Sequence, residues 1–160
     1  MAIGLGSNLG SRLDHLAAGA RALRGILDRA TFSRVYETRP VGVVEQPRFL
    51  NACGTGWTDL EPETLLRELK AAESARGRRP GARWGPRELD LDILLYGEQV
   101  VETGELRIPH PELVHRAFVL VPLAEIAGSW VHPVADVTVA ELAAQLDPTG
   151  VEATNLQLTG

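Results

Sequence analysis

The chain has 160 residues, enough for one domain that buries roughly 70% of the surface its unfolded form exposes. Apolar residues make up 44% and charged residues 23%, as in an ordinary soluble protein, and a formal net charge of −5 argues against general nucleic-acid binding. Cys53 stands alone, which excludes an intrachain disulfide, and no apolar run approaches the ~20 residues a bilayer span needs. With no signal-peptide pattern in MAIGLGSN, the expectation is a cytoplasmic, monomeric domain over residues 1–160, with neither nucleic-acid nor membrane partners.

Ala2–Leu5 is expected as a short first strand, and the Gly-rich GLGSNLG after it as a tight turn into a helix. Its glycines at 4, 6 and 10 miss the dinucleotide-binding spacing, and no Gly-Lys-Ser/Thr marks a P-loop. Ser11 and Asp14 resemble a capping box, followed by Leu13, Leu16, Ala17, Ala20, Leu23 and Leu27 at helical spacing. A second strand is predicted over Thr31–Glu37, then a Pro- and Gly-rich loop over 38–47. In a third strand, Phe49–Trp57, period two puts Leu50 and Ala52 on one face and Phe49 and Asn51 on the other.

A helix starting at Pro62 carries Leu65, Leu66, Leu69 and Ala72 on its apolar stripe and stops near Gly77. Leu89–Tyr96 is predicted as a strand, 97–110 as a hairpin or an extended excursion, and Phe118–Ile126 and Val139–Leu146 as helices. The order β-α-β-β-α-β over the first hundred residues implies an α+β fold. It is that of a ferredoxin-like α/β sandwich, an antiparallel sheet with helices packed on its faces, the first two helices sharing one of them.

Chemistry concentrates at residues 76–97. Alternation sends Leu91, Ile93 and Leu95 one way and Asp90 and Asp92 the other, which sets the two acids about 6–7 Å apart on one strand face. At that distance two bare carboxylates repel by roughly 2–3 kcal/mol at an effective dielectric near 20. A divalent cation removes this cost, and Mg²⁺ commonly uses one or two carboxylates with water and phosphate oxygens. The preceding stretch RGRRPGARWGPR holds five arginines, Arg76, Arg78, Arg79, Arg83 and Arg87, and no acid. Guanidinium groups bind phosphate in bidentate fashion, so a polyphosphate beside a metal is the expected ligand. Glu73, near the C-terminal end of its helix, runs against the helix dipole and is a further candidate. His110 and His115 lack the additional ligands a zinc site needs.

Together, GLGSNLG, FLNA at 49–52, RWGPRELDLDILLYG at 83–97 and PHPELVHRAFVLVPL at 109–123 resemble the 6-hydroxymethyl-7,8-dihydropterin pyrophosphokinases of folate biosynthesis. The resemblance runs from about residue 2 to residue 133, and its most specific element is RWGPR followed by LDLDI. It implies transfer of pyrophosphate from ATP to the pterin's hydroxymethyl oxygen, with release of AMP. It implies that Asp90 and Asp92 bind two Mg²⁺ ions. Arg78 and Arg87 fall on catalytic, phosphate-contacting positions, and Glu73, Trp84, His110 and Arg116 on the nucleotide side. Phe49 and Phe118 match the rings that sandwich the pterin, Asn51 the amide that reads its edge, and Thr38 and Val41 further pocket positions. Asn8 matches a residue below the site.

Two other functions share part of this pattern. A nucleotidyltransferase also combines Gly-Ser with Asp-x-Asp, but within a few tens of residues; here more than eighty separate Gly6-Ser7 from Asp90. A non-catalytic ferredoxin-like module predicts no Mg²⁺ dependence and gives the arginines no work.

Overall fold

The computed structural model describes residues 1–38, 48–77 and 88–158. Six strands form its main sheet: β1 Ala2–Ser7, β2 Asp28–Phe32, β3 Arg34–Thr38, β4 Phe49–Trp57, β5 Asp90–Leu95 and a late strand, Val151–Gln157. The chain also forms α1 Arg12–Ile26, α2 Pro62–Ala75, the short hairpin β6 Val101–Glu102 and β7 Arg107–Ile108, α3 Ala117–Ala127 and α4 Val139–Ala144; the late strand is therefore β8. Sheet order is β5-β1-β4-β3-β8, with β2 also on β4 and every pair antiparallel.

β2 and β3 run one after the other along the same edge of β4. The predicted strand at Thr31–Glu37 starts earlier, at Asp28, and breaks at Ser33. The Ser33 hydroxyl accepts from the Cys53 amide and donates to the Arg34 carbonyl, which satisfies backbone groups where the ladder is interrupted. Taken as one strand, β2–β3 completes the ferredoxin-like order. β8 extends it by pairing with β3 and has no counterpart in the sequence reading.

Helices cover both faces. Leu16, Ala20 and Leu23 of α1 and Leu65 and Leu69 of α2 bury against Ile3, Leu5, Leu50, Ala52, Leu91 and Ile93. Leu16, Leu23, Leu65 and Leu69 are each at most 1% exposed, so truncation of any one to alanine costs about 2–5 kcal/mol. On the other face Leu120, Leu123 and Ala127 of α3 and Val139 and Leu142 of α4 bury against Ala2, Cys53, Leu94 and Leu95. Leu95 was expected beside Leu91 and Ile93. Ala2 pairs with Leu95 and Ile3 with Ile93, so Leu94 is an extra residue in β5 and Leu95 turns to the α3 side.

Helix ends follow mixed rules. Pro62 opens α2, and Gly77, at φ +95°, closes it by donating its amide to the Ser74 carbonyl at 3.1 Å. The capping box expected at Ser11 does not form: its side chain makes no cap bond, and Asp14 contributes charge alone to the first turn. Burial, with the Glu125 charge adding to it, pushes the Cys53 thiol up, which fits an inert core residue. Among the described residues no helix is long and apolar enough to cross a membrane.

Candidate active site

β1 runs between β4 and β5 in a register that places Gly6 opposite Asn51 on one side and Asp90 on the other. One step along, Gly4 faces Cys53 and Asp92. Residues directly opposite in a ladder share a face, so Asp90, Asp92, Phe49 and Asn51 all belong to the α3 side of the sheet. The carboxylates and the Phe49/Asn51 pair stand two strand spacings apart, about 9–10 Å, with glycine backbone between them. The expected turn at GLGSNLG is confined to its last residues: Gly4 and Gly6 lie inside β1, and Gly10, at φ +70°, makes the turn.

On the β4 side, Asn51 Nδ2–H donates to Thr38 Oγ1, and both residues are buried. Thr38 pairs with Phe49 across β3 and β4, so three of the sequence candidates meet at one corner of the sheet. Phe118 stands in the first turn of α3, which packs on β3 and β4. The Arg116 guanidinium lies over the Phe118 ring, 5.6 Å from its centroid, a cation–π arrangement.

On the β5 side, Asp90 and Asp92 are half-buried. β5 is the edge of the sheet, and between the two aspartates the Leu91 amide donates to Glu73 Oε2 at 2.8 Å. The buried Glu73 therefore ties the end of α2 to the backbone that carries both acids. The His110 amide donates to the Leu94 carbonyl at 3.0 Å, and His110 Nδ1 accepts from the Glu112 amide at 3.1 Å. Burial first, then the Arg116 charge, lowers the His110 pKa from its ordinary value, against opposing pulls from Glu112 and Asp90. The ring is thus neutral near pH 7, with Nε2–H as its remaining donor.

Arg76 Nε–H donates to His15 Nδ1 at 3.0 Å, which directs this arginine toward α1. Val41, Arg78, Arg79, Arg83, Trp84 and Arg87 lie outside the described residues. Asn8 is buried at the end of β1. Among the described residues no three His, Cys, Asp or Glu side chains gather as a metal site. The paired carboxylates suit a hard, oxygen-seeking cation such as Mg²⁺, which fills its remaining positions with water and phosphate.

The sequence reading missed two features. One is the glycine strip of β1, whose signal was Gly at alternate positions of a strand. The other is a cluster where α3 meets β3. Glu125 of α3 accepts from the Tyr36 hydroxyl at 2.6 Å and from the Arg34 amide and Nε at 2.7 and 3.0 Å, which fastens α3 to β3. Burial works to raise the Glu125 carboxyl, but Tyr36 and Arg34 outweigh it and hold it below its usual range.

The model of the family described as 7,8-dihydro-6-hydroxymethylpterin-pyrophosphokinase matches residues 2–128. A 2-amino-4-hydroxy-6-hydroxymethyldihydropteridine pyrophosphokinase of Synechocystis is 43% identical over 151 residues, 93% of this chain and 77% of that protein. The mitochondrial folate synthesis bifunctional protein of Arabidopsis thaliana is 48% identical over 128 residues. That is 79% of this chain but only 23% of the plant protein's length. A crystal structure of Plasmodium falciparum HPPK-DHPS matches 90% of this chain and 44% of its own, with a TM-score of 0.73. At 15% identity that likeness speaks for the fold alone.

Proposed function

The chain belongs to the 7,8-dihydro-6-hydroxymethylpterin-pyrophosphokinase family, and from that premise we propose that it transfers pyrophosphate from ATP to 6-hydroxymethyl-7,8-dihydropterin. The hydroxymethyl oxygen attacks the β-phosphorus and loses its proton. The bond from that phosphorus to the α,β-bridging oxygen breaks, and AMP leaves with the electron pair. The observation that supports this reading is the cross-strand row Asp90–Gly6–Asn51, which sets a pair of carboxylates and a carboxamide on one face with glycine backbone between them.

Each group has a part. Phe49 and Phe118 hold the pterin's faces, and Asn51, oriented by Thr38, reads its edge, with Val41 completing the pocket. Asp90 and Asp92 would hold two Mg²⁺ ions, which would supply charge neutralisation for the phosphates. The neutral His110 offers Nε2–H to a phosphate or nucleotide oxygen, and Arg116 supplies positive charge beside it. Arg78 and Arg87 act on the phosphates, and Trp84 and Glu73 serve the nucleotide side. Phosphoryl chemistry of this kind needs positioning and charge more than covalent catalysis. The chain works in the cytoplasm as a monomer.

The test is incubation with hydroxymethyldihydropterin, ATP and Mg²⁺. Stoichiometric AMP and pterin diphosphate support the reading, whereas release of inorganic pyrophosphate identifies nucleotidyl transfer and overturns it.

A further inference from the structure

We infer that Gly6 is a specificity-determining position that acts through Asn51, an inference that rests on the pyrophosphokinase reading of the same site. Gly6 lies in the extended backbone of β1, where any residue is conformationally admissible and glycine weakens the strand. What excludes a side chain is space. A Cβ at Gly6 would meet Asn51 Oδ1 at 2.9 Å and Phe49 Cδ1 at 3.6 Å. The neighbouring Gly4 makes the contrast, because a Cβ there meets Leu94 carbons no closer than 3.5 Å, ordinary contact.

The Asn51 carboxamide is thus fixed at both ends. Its Nδ2 donates one hydrogen to the buried Thr38 hydroxyl, and its Oδ1 rests over the bare backbone of Gly6. In that orientation one N–H and the carbonyl oxygen stay available as an adjacent donor and acceptor. Such a pair complements a ring edge that carries an amide-like acceptor and donor, as the pyrimidinone half of a pterin does. A methyl group at position 6 takes the space of Oδ1 and forces the carboxamide to turn. The Thr38 bond is then lost and the readout scrambled, while the aspartates on the far side of β1 keep their places. Gly6 therefore governs which ring the enzyme accepts, and does so without touching the phosphate chemistry.

The experiment is a steady-state comparison of wild type, Gly6→Ala, Asn51→Ala and the double variant, with thermal midpoints measured alongside. Gly6→Ala is expected to raise KM for hydroxymethyldihydropterin about tenfold, the value of one or two hydrogen bonds, with KM for ATP within about twofold. In the Asn51→Ala background the same substitution should change KM for the pterin little, because the atom it displaces is gone. Equal effects in both backgrounds, or parallel losses for pterin and ATP, overturn the inference. If Gly6→Ala does not fold, the double variant should, and a double variant equally unfolded overturns it. A wild-type enzyme that forms no AMP overturns the functional reading and this inference with it. An active wild type whose Gly6→Ala variant binds pterin normally overturns this inference alone.

Discussion

The Glu73 carboxylate accepts the Leu91 amide at 2.8 Å, so a residue of α2 closes the open edge of β5 between Asp90 and Asp92. An edge amide left unpaired in a buried setting is costly, and an ionised acceptor makes the stronger bond. Glu73→Ala should therefore cost about 1–3 kcal/mol of stability, and Glu73→Gln less because it keeps an acceptor. Denaturant unfolding measures both. A variant of unchanged stability would mean that Glu73 serves the nucleotide alone.

Asp92→Ala should abolish turnover while leaving the fold intact. The two half-buried acids face away from the Leu91 and Ile93 side chains, so removing one leaves the core under α1 and α2 in place. The rate loss should exceed the ~100-fold that outer-shell partners of a metal site are worth. AMP release and a thermal melt, taken together, decide the matter. Retention of most of the Mg²⁺-dependent rate would remove the metal role.

Thr38→Val is the gentler probe of the pterin side. It keeps the shape of the side chain but removes the acceptor of the Asn51 amide hydrogen, in a spot where both residues are buried. The expected loss is about 0.5–1.5 kcal/mol in pterin affinity, or roughly 2–12-fold, with ATP affinity unchanged. Titration calorimetry with each ligand separately shows whether the effect stays on its side of β1.

What was legible in the sequence is what a strand or helix states about itself. Period-two alternation located Phe49 with Asn51 and Asp90 with Asp92, because side-chain direction is local. Register is not local, so the sequence reading could not show that Gly6 lies between Asn51 and Asp90. The bulge that turns Leu95 away from Ile93 is likewise a property of the β1–β5 pair. β8 escaped because an exposed edge strand such as VEATNLQ carries no buried face to create a pattern. The Glu125–Tyr36–Arg34 cluster joins residues about ninety positions apart, and no spacing rule reaches that far.

Arg116→Ala should raise the His110 pKa. Burial is the larger cause of its depression and remains, but the second, the Arg116 charge, is removed while Glu112 and Asp90 still pull upward. NMR titration of the ring should show the midpoint moving toward, without reaching, that of an exposed histidine. An unmoved midpoint would mean that the guanidinium over Phe118 does not act on His110.

His132 makes a second pH dependence, one of stability. The residue is 6% exposed and its Nδ1 accepts the Val134 and Ala135 amides at 3.2 and 3.0 Å, which ties the turn between α3 and α4. Burial lowers its pKa below the usual 6.5, so the fold favours the neutral ring. As pH falls through 6.5 the unfolded chain takes up a proton that the folded chain refuses, and stability declines until the lowered folded value is passed. The stabilisation is therefore complete above that range, and its loss cannot exceed about 1.4 kcal/mol per pH unit for a single proton. His110 adds a slope of the same sign, so the test is a difference. His132→Asn keeps an acceptor near the same amides but does not titrate, and its thermal midpoint should fall less steeply than wild type between pH 7 and 5. Parallel curves would show that folding leaves the affinity of His132 for its proton unchanged.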